Sequence, residues 1–276
     1  MSDTIKLSAP RAFWEISIIY EDEHLLALNK PALLLTSPDR YDPDRPNLMK
    51  LLHREIERGA PWAKKRNLSY LMNAHRLDFE TTGVILLAKS RPILVTLANL
   101  FGSEKPLKTY VALVRGTPAN DQFEVKAGLG MHPGRVGYMR VDEKKGKRSR
   151  TVFSIREKFV GYTLMECRPL TGRTHQIRVH IKHAGHPILG DTTYGGKELL
   201  LSQLKPDYRL KPGHVERPLI GSTALHAEGL KLPHPVTENE VSISAPLPKD
   251  LLVAVKYLRR YAVVGSDISE VEAGAS

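Results

Sequence analysis

His75-Arg76-Leu77-Asp78-Phe79-Glu80-Thr81-Thr82-Gly83, continued by Val84-Ile85-Leu86-Leu87-Ala88-Lys89, sets a carboxylate two places after a guanidinium, just ahead of an apolar run. The first nine residues are polar and turn-prone. The run from Val84 to Ala88 has the length and composition of a buried strand. In an extended segment, residues two apart point to the same side, so Arg76 and Asp78 share a face. A cation nearby favours the charged form of a carboxylate. Such a group suits nucleophilic attack better than proton donation.

Working outward, Glu15 to Tyr20 and His24 to Asn29 read as a hairpin around Asp22-Glu23. Thr36 to Asn47 reads as a loop. Leu48 to Arg58 reads as a helix with Leu48, Leu51, Leu52 and Ile56 on one face, stopped by Gly59. Ala60 to Ser69 reads as a basic loop. Pro92 opens a helix through Phe101. Lys108 to Val114 reads as a strand, residues 126–150 as irregular hairpins, and Thr151 to Phe159 and Tyr162 to Pro169 as paired strands. Thr174 to Ala184 reads as a helix ending at Gly185. Thr223 to Leu230 and Glu240 to Ala245 read as strands, and Lys249 to Tyr261 as a helix with Leu252, Val255 and Leu258 inward. Hairpins outnumber β-α-β units, which predicts an α+β fold with a mixed, largely antiparallel central sheet and flanking helices. Residues 1–13 read as a loose segment, 14–262 as one catalytic domain, and 263–276 as a small, acidic, disordered tail.

A chain of 276 residues is long enough for a self-sufficient core. Lys and Arg number 41 against 30 Asp and Glu, a charge of +11 that suits a polyanionic partner. The lone Cys167 leaves no disulfide to form within the chain and points to a reducing compartment. The start of the chain has no signal-peptide core, and no apolar run nears 18 residues. A soluble cytoplasmic protein is expected, with no membrane association and, by default, a monomer.

The opening stretch closely resembles the signature of the RluA-type pseudouridine synthases, His-Arg-Leu-Asp-x-x-Thr-Ser/Thr-Gly. A second block, residues 168–196, includes Thr171-Gly172-Arg173-Thr174-His175-Gln176-Ile177-Arg178-Val179-His180 and Gly190-Asp191-Thr192-Thr193-Tyr194-Gly195-Gly196, and resembles the family's other long signature. Lys108-Thr109-Tyr110-Val111-Ala112-Leu113-Val114-Arg115-Gly116 resembles its tyrosine strand, and the stretch from Ile19 to Pro31 its opening hairpin. The resemblance runs from about residue 16 to about residue 250. It implies a central catalytic cleft and the isomerisation of uridine to pseudouridine in structured ribosomal or transfer RNA.

That reaction breaks a C–N glycosidic bond, turns the base and rejoins it through carbon. No redox change occurs, so no cofactor is expected. The resemblance makes Asp78 the catalytic residue, serving either attack on the sugar or elimination to a glycal. It implies that Arg76 fills the gap left by the flipped base, a step that costs a few kcal/mol. It makes Tyr110 the aromatic wall for uracil, where stacking contributes about 1–3 kcal/mol. It also makes Arg178 the partner of Asp78. Arg173, at the entrance of the helix that carries Arg178, reads as a secondary positioning and RNA-binding residue. Lys144, Lys145, Lys147, Arg148 and Arg150 form a basic run suited to RNA phosphates, without sequence specificity.

Other signals are weaker. His175, His180, His183 and His186 are spread around a helix rather than along one face, so no metal site is expected. Gly128-Leu129-Gly130 and Gly195-Gly196-Lys197 miss the dinucleotide and P-loop patterns. Asp191 reads as a turn residue, though paired with Asp78 it would suit an N-glycoside hydrolase. A non-catalytic RNA-binding protein is a further alternative, against which the trio Asp78, Tyr110 and Arg178 argues. One departure from the family pattern is Leu33, which stands where Lys-Pro-x-Gly would supply glycine.

Overall fold

The structure is a computed structural model that describes residues 3–39, 42–211 and 213–264. Its centre is one 11-stranded sheet. The N-terminal side is built from β1 (Thr4–Ala9), β2 (Ala12–Glu21) and β3 (Leu25–Lys30). After helices α1 (Leu48–Glu57) and α2 (Pro61–Lys64) come the short β4 (Met72–Asn73) and the central β5 (Thr82–Ala88). Helix α3 (Arg91–Gly102) leads to β6 (Leu107–Arg115) and β7 (Gln122–Lys126). A small separate hairpin, β8 (Leu129–Met131) and β9 (Met139–Val141), precedes the long pair β10 (Arg150–Phe159) and β11 (Tyr162–Pro169). Helix α4 (Gln176–His183), β12 (Leu225–Pro233), β13 (Glu240–Ser244) and α5 (Lys249–Tyr261) complete the chain.

The strand order is β1-β2-β3-β5-β12-β6-β11-β10-β7, with β13 on β12 and β4 on β5. Every pairing among these strands is antiparallel except β5 with β12. The expected mixed, largely antiparallel sheet is therefore present. The parallel pair sets Thr82 beside His226 and Gly83 beside Ala227. Gly83 has φ +111°, and a Cβ there would lie 2.2 Å from the Ala227 carbonyl oxygen. Only glycine fits so close an approach, which accounts for the last residue of the opening motif. The same row continues across the sheet, Ala227 beside Tyr110 and Tyr110 beside Cys167. Three adjacent strands thus bring the entrance of β5 next to Tyr110.

Three expectations are corrected. The stretch 60–69, expected as a basic loop, contains the one-turn helix α2, opened by Pro61. Residues 1–13 were expected to be loose, yet Thr4–Ala9 forms β1, paired with β2 through Ile5 with Ile16 and Leu7 with Trp14. Ile5 and Leu7 are fully buried, and strand alternation carries both to the core face. In α5 the inward face is Leu251, Ala254, Val255 and Leu258, while Leu252 is half exposed. Val255 and Leu258 face inward as expected, and Leu251 takes the place of Leu252 in a regular i, i+3, i+4, i+7 stripe. Of the expected C-terminal tail, residues 265–276 lie outside the described residues.

Candidate active site

Asp78 lies in the loop between β4 and β5, and this loop is pinned at almost every residue. Leu77 is buried in the core, and its backbone N–H and C=O both bond the hydroxyl of Thr36, at 3.2 and 3.0 Å. The Thr81 N–H donates to the Asp78 carbonyl at 3.2 Å. His75 extends the β4 ladder with its side chain. The Ala74 N–H donates to the Leu86 carbonyl, and the Leu86 N–H donates to His75 Nε2 at 3.1 Å. The ring stacks on Phe101, with centroids 4.9 Å apart. Burial, reinforced by the nearby Lys108 charge, lowers the His75 pKa to about 3, so the ring is neutral and Nε2 accepts.

Below the loop, the Lys30 ammonium is fully buried. Its Nζ donates to the carbonyls of Leu34 (2.7 Å), Pro31 (2.8 Å) and Phe79 (3.4 Å). Burial lowers its pKa to about 7, opposed by the charges of Asp78 and Glu80. Lys30 therefore ties the turn after β3 to the residue following Asp78. That turn survives without the family's glycine because Leu33 adopts φ +58°.

Arg178 arrives from α4, which packs on β9, β10 and β11. Its side chain is 1% exposed. Nε and Nη2 each donate to one oxygen of Asp191 at 2.8 Å. Nη1 reaches Glu80 at 3.3 Å and Asp78 Oδ2 at 3.5 Å. The guanidinium carbon lies 5.0 Å from the Tyr194 ring centroid. A buried guanidinium without such partners would carry a severe desolvation penalty. The Asp191 carboxylate also accepts from the Tyr194 N–H, so one side chain caps a turn and fixes the arginine.

His175 precedes α4 with φ +53°, a left-handed conformation that is uncommon for a non-glycine residue though histidine adopts it more readily than most. Its Nδ1 lies 2.7 Å from the Tyr194 hydroxyl, and its Nε2 lies 4.0 Å from Asp78 Oδ1. Tyr194 oxygen also accepts from the Met139 N–H at 3.0 Å. Burial lowers the pKa of His175, with the negative charge of Asp78 opposing it. The neutral tautomer with hydrogen on Nε2, and Nδ1 accepting from the phenol, turns a donor toward Asp78.

Of these groups, His75, Asp78, His175 and Arg178 line a cavity of about 340 Å³, within the range of small-ligand pockets. Asp78, Arg76, Tyr110, Arg178 and Arg173 all line it, so the residues expected from sequence meet in one place. Arg76 is exposed, and Asp78 retains 25% side-chain exposure. Burial, and secondarily the charge of Asp78, hold the Tyr110 hydroxyl well above the ordinary range for a phenol, so it stays protonated. Lys108, two residues before Tyr110 on β6, also lines the cavity and donates to the Thr171 carbonyl at 3.1 Å.

The basic run Lys144, Lys145, Lys147, Arg148 and Arg150 is exposed and does not line this cavity. Arg150 pairs with Glu124 at 2.7 Å, and the Lys144 and Lys145 N–H groups donate to Asp142. The run reaches the cavity residues through its backbone: the Arg148 carbonyl accepts from Arg173 Nε at 3.3 Å, the Arg150 N–H donates to Thr171 Oγ1 at 3.1 Å, and the Arg150 carbonyl accepts from Gln176 Nε2 at 2.8 Å. Sequence reasoning missed the structural parts of Lys30, His75, Glu80, Lys108, His175, Asp191 and Tyr194. Each lies inside one of the matched blocks, but nothing in residue type separates these from their neighbours. Asp191 is bound on both oxygens and 1% exposed, so it is not a second glycosidase carboxylate.

The profile of the RNA pseudouridylate synthase family matches residues 24–183. Ribosomal large subunit pseudouridine synthase D of Xylella fastidiosa is 36% identical over 253 residues, covering 88% of this chain and 70% of that protein. Ribosomal large subunit pseudouridine synthase C of Buchnera aphidicola is 37% identical over 235 residues, covering 84% and 68%. Among solved structures, human RNA pseudouridylate synthase domain containing 4 aligns with a TM-score of 0.65 at 23% identity, covering 88% of this chain and 92% of that one. The fold and the sequence agree, and the chain belongs to the RluA-type family of RNA pseudouridine synthases.

Proposed function

We propose that Asp78 is the catalytic carboxylate of an RNA uridine isomerase whose target lies in structured ribosomal RNA or, failing that, transfer RNA. The observation that carries this is the setting of Asp78. It sits partly exposed in a cavity, 3.5 Å from the buried Arg178 guanidinium and walled by Tyr110. The names of the relatives support ribosomal RNA as substrate. The proposed assembly is a monomer and the proposed compartment is the cytoplasm.

The reaction follows from the groups present. Arg76, at the cavity rim, occupies the gap in the RNA stack as the uridine leaves it. Tyr110 offers its protonated ring to the uracil face. Asp78 acts at the sugar as the C1′–N1 bond breaks, and Arg178 holds that carboxylate in one orientation. The base turns, C1′ bonds to C5, the C5 proton is lost and N1 gains one. Substrate and product are isomers, so no electron carrier enters the balance.

Asp78→Asn keeps the shape and removes the charge. It should abolish tritium release from [5-³H]uridine-labelled RNA while RNA affinity stays within about threefold, since binding comes largely from phosphate contacts elsewhere. Release at the wild-type rate would exclude Asp78 as catalyst. RNA binding by the wild-type protein with no tritium release would favour the non-catalytic reading, and free uracil would favour a hydrolase. Isomerisation mapped across total RNA, with and without the gene, identifies the target.

A further inference from the structure

A second cavity, of about 220 Å³, lies between the β8–β9 hairpin and the solvent side of α4. Its lining includes Arg135, Arg140, Lys182 and His132, with the rings of Tyr138 and Tyr194. Arg140 is neutralised in part by Asp142 at 3.3 Å. Arg135 and Lys182 are exposed and make no ion pair among the described residues. Arg135 instead lies over the Tyr138 ring, 5.6 Å from its centroid. Cations without carboxylate partners around an aromatic ring are what an unpaired nucleotide requires, phosphate to the charges and base to the ring.

The two cavities are joined through Tyr194. Its ring lies beside Arg178 and its hydroxyl contacts His175, and both of those residues line the first cavity. Tyr194 itself lines the second and accepts from the Met139 N–H of the hairpin. The groove therefore lies one residue's width from the catalytic cavity, with Tyr194 between them.

We propose that the groove between the β8–β9 hairpin and α4 binds a second, unpaired nucleotide of the substrate RNA, separate from the uridine that enters the catalytic cavity. The inference rests on the RNA-isomerase reading and adds a binding site to it. It moves the expected RNA footprint from the Lys144–Arg150 run, part of whose charge is already paired, to the neighbouring hairpin.

The probe is a 12-nucleotide 5′-fluorescein oligouridylate, with binding followed by anisotropy across salt concentrations. Arg135→Ala/Lys182→Ala should weaken binding and lower the slope of log affinity against log salt by about 0.7 for each phosphate no longer neutralised. Tyr138→Ala should weaken binding roughly 5- to 150-fold with the slope unchanged, and Tyr138→Phe should restore it. Circular dichroism spectra matching wild type keep a folding defect apart from a binding defect. Wild-type affinity and slope in the double variant, or equal affinity of Tyr138→Ala and Tyr138→Phe, would overturn the site. Tritium release by Asp78→Asn tests the underlying reading separately, because that substitution leaves the groove untouched.

Discussion

Arg178 gives both prongs of its fork to Asp191, at 2.8 Å each, and only its remaining amino group to Asp78, at 3.5 Å. The arginine next to Asp78 is thus held by a different carboxylate. A bidentate pair fixes the guanidinium plane and so aims the remaining amino group at Asp78. Glu80 completes the arrangement from the same loop.

Asp191→Asn should therefore damage catalysis without touching the cavity. The substitution leaves a buried guanidinium short of its main counter-charge, a loss of about 3–5 kcal/mol. We expect a marked drop in thermal stability and, in the folded fraction, a fall in kcat larger than any rise in KM. A normal melting curve with normal turnover would show that Asp78 and Glu80 suffice to hold Arg178.

Lys30 makes stability depend on pH in a defined window. Its folded pKa of about 7 lies below the ordinary lysine value of 10.5. Between those values the unfolded chain binds more protons, so stability rises as pH increases from about 7 to 10.5 and falls back as pH returns to 7. The full swing is on the order of a few kcal/mol at about 1.4 kcal/mol per unit. Lys30→Met should flatten this part of a denaturation series, and an unchanged profile would assign the rise to other groups.

Leu33 is half exposed and left-handed, a conformation that suits glycine. The conformation costs a leucine about 1–2 kcal/mol. Leu33→Gly should relieve it, partly offset by the extra freedom glycine has when unfolded. A net gain of about 1 kcal/mol is expected in chemical denaturation. A loss would mean that the leucine side chain contributes more than its backbone costs.

Tyr194→Phe removes one oxygen that serves both Met139 and His175. The hydroxyl is buried, with its pKa pushed up to about 12. We expect a stability loss of about 1–3 kcal/mol from the orphaned groups. We also expect a lower kcat, because His175 loses the partner that selects its tautomer. His175→Gln keeps a donor near Asp78 and should retain more activity than His175→Ala. Equal activity of the two would remove His175 from any part in orienting Asp78.

Most strands and helices were legible because their apolar periods are unambiguous, as in Val84 to Ala88 and Lys249 to Tyr261. Strand β1 was not, since two buried residues among polar neighbours make too short a pattern until β2 lies beside it. Asp78, Arg76, Tyr110 and Arg178 were legible only because their blocks resemble a family. Periodicity alone would have left Tyr110 a core residue and Arg178 a helix surface. Asp191 read as a turn residue and is one, but the same carboxylate also carries the buried ion pair.

The order of residues along the chain determined the local chemistry: a carboxylate ahead of a buried strand, a glycine after it, a basic helix start and an excess of positive charge. Hydrophobic period and turn preference act over a few residues, so these features follow from neighbours in sequence. Tertiary structure alone decided that Gly83, Ala227 and Tyr110 share one row, that Asp191 rather than Asp78 secures Arg178, and that Lys30 lies beneath the Asp78 loop. Those relations span separations of up to 144 residues, and they exist only where packing and desolvation force distant groups to find partners.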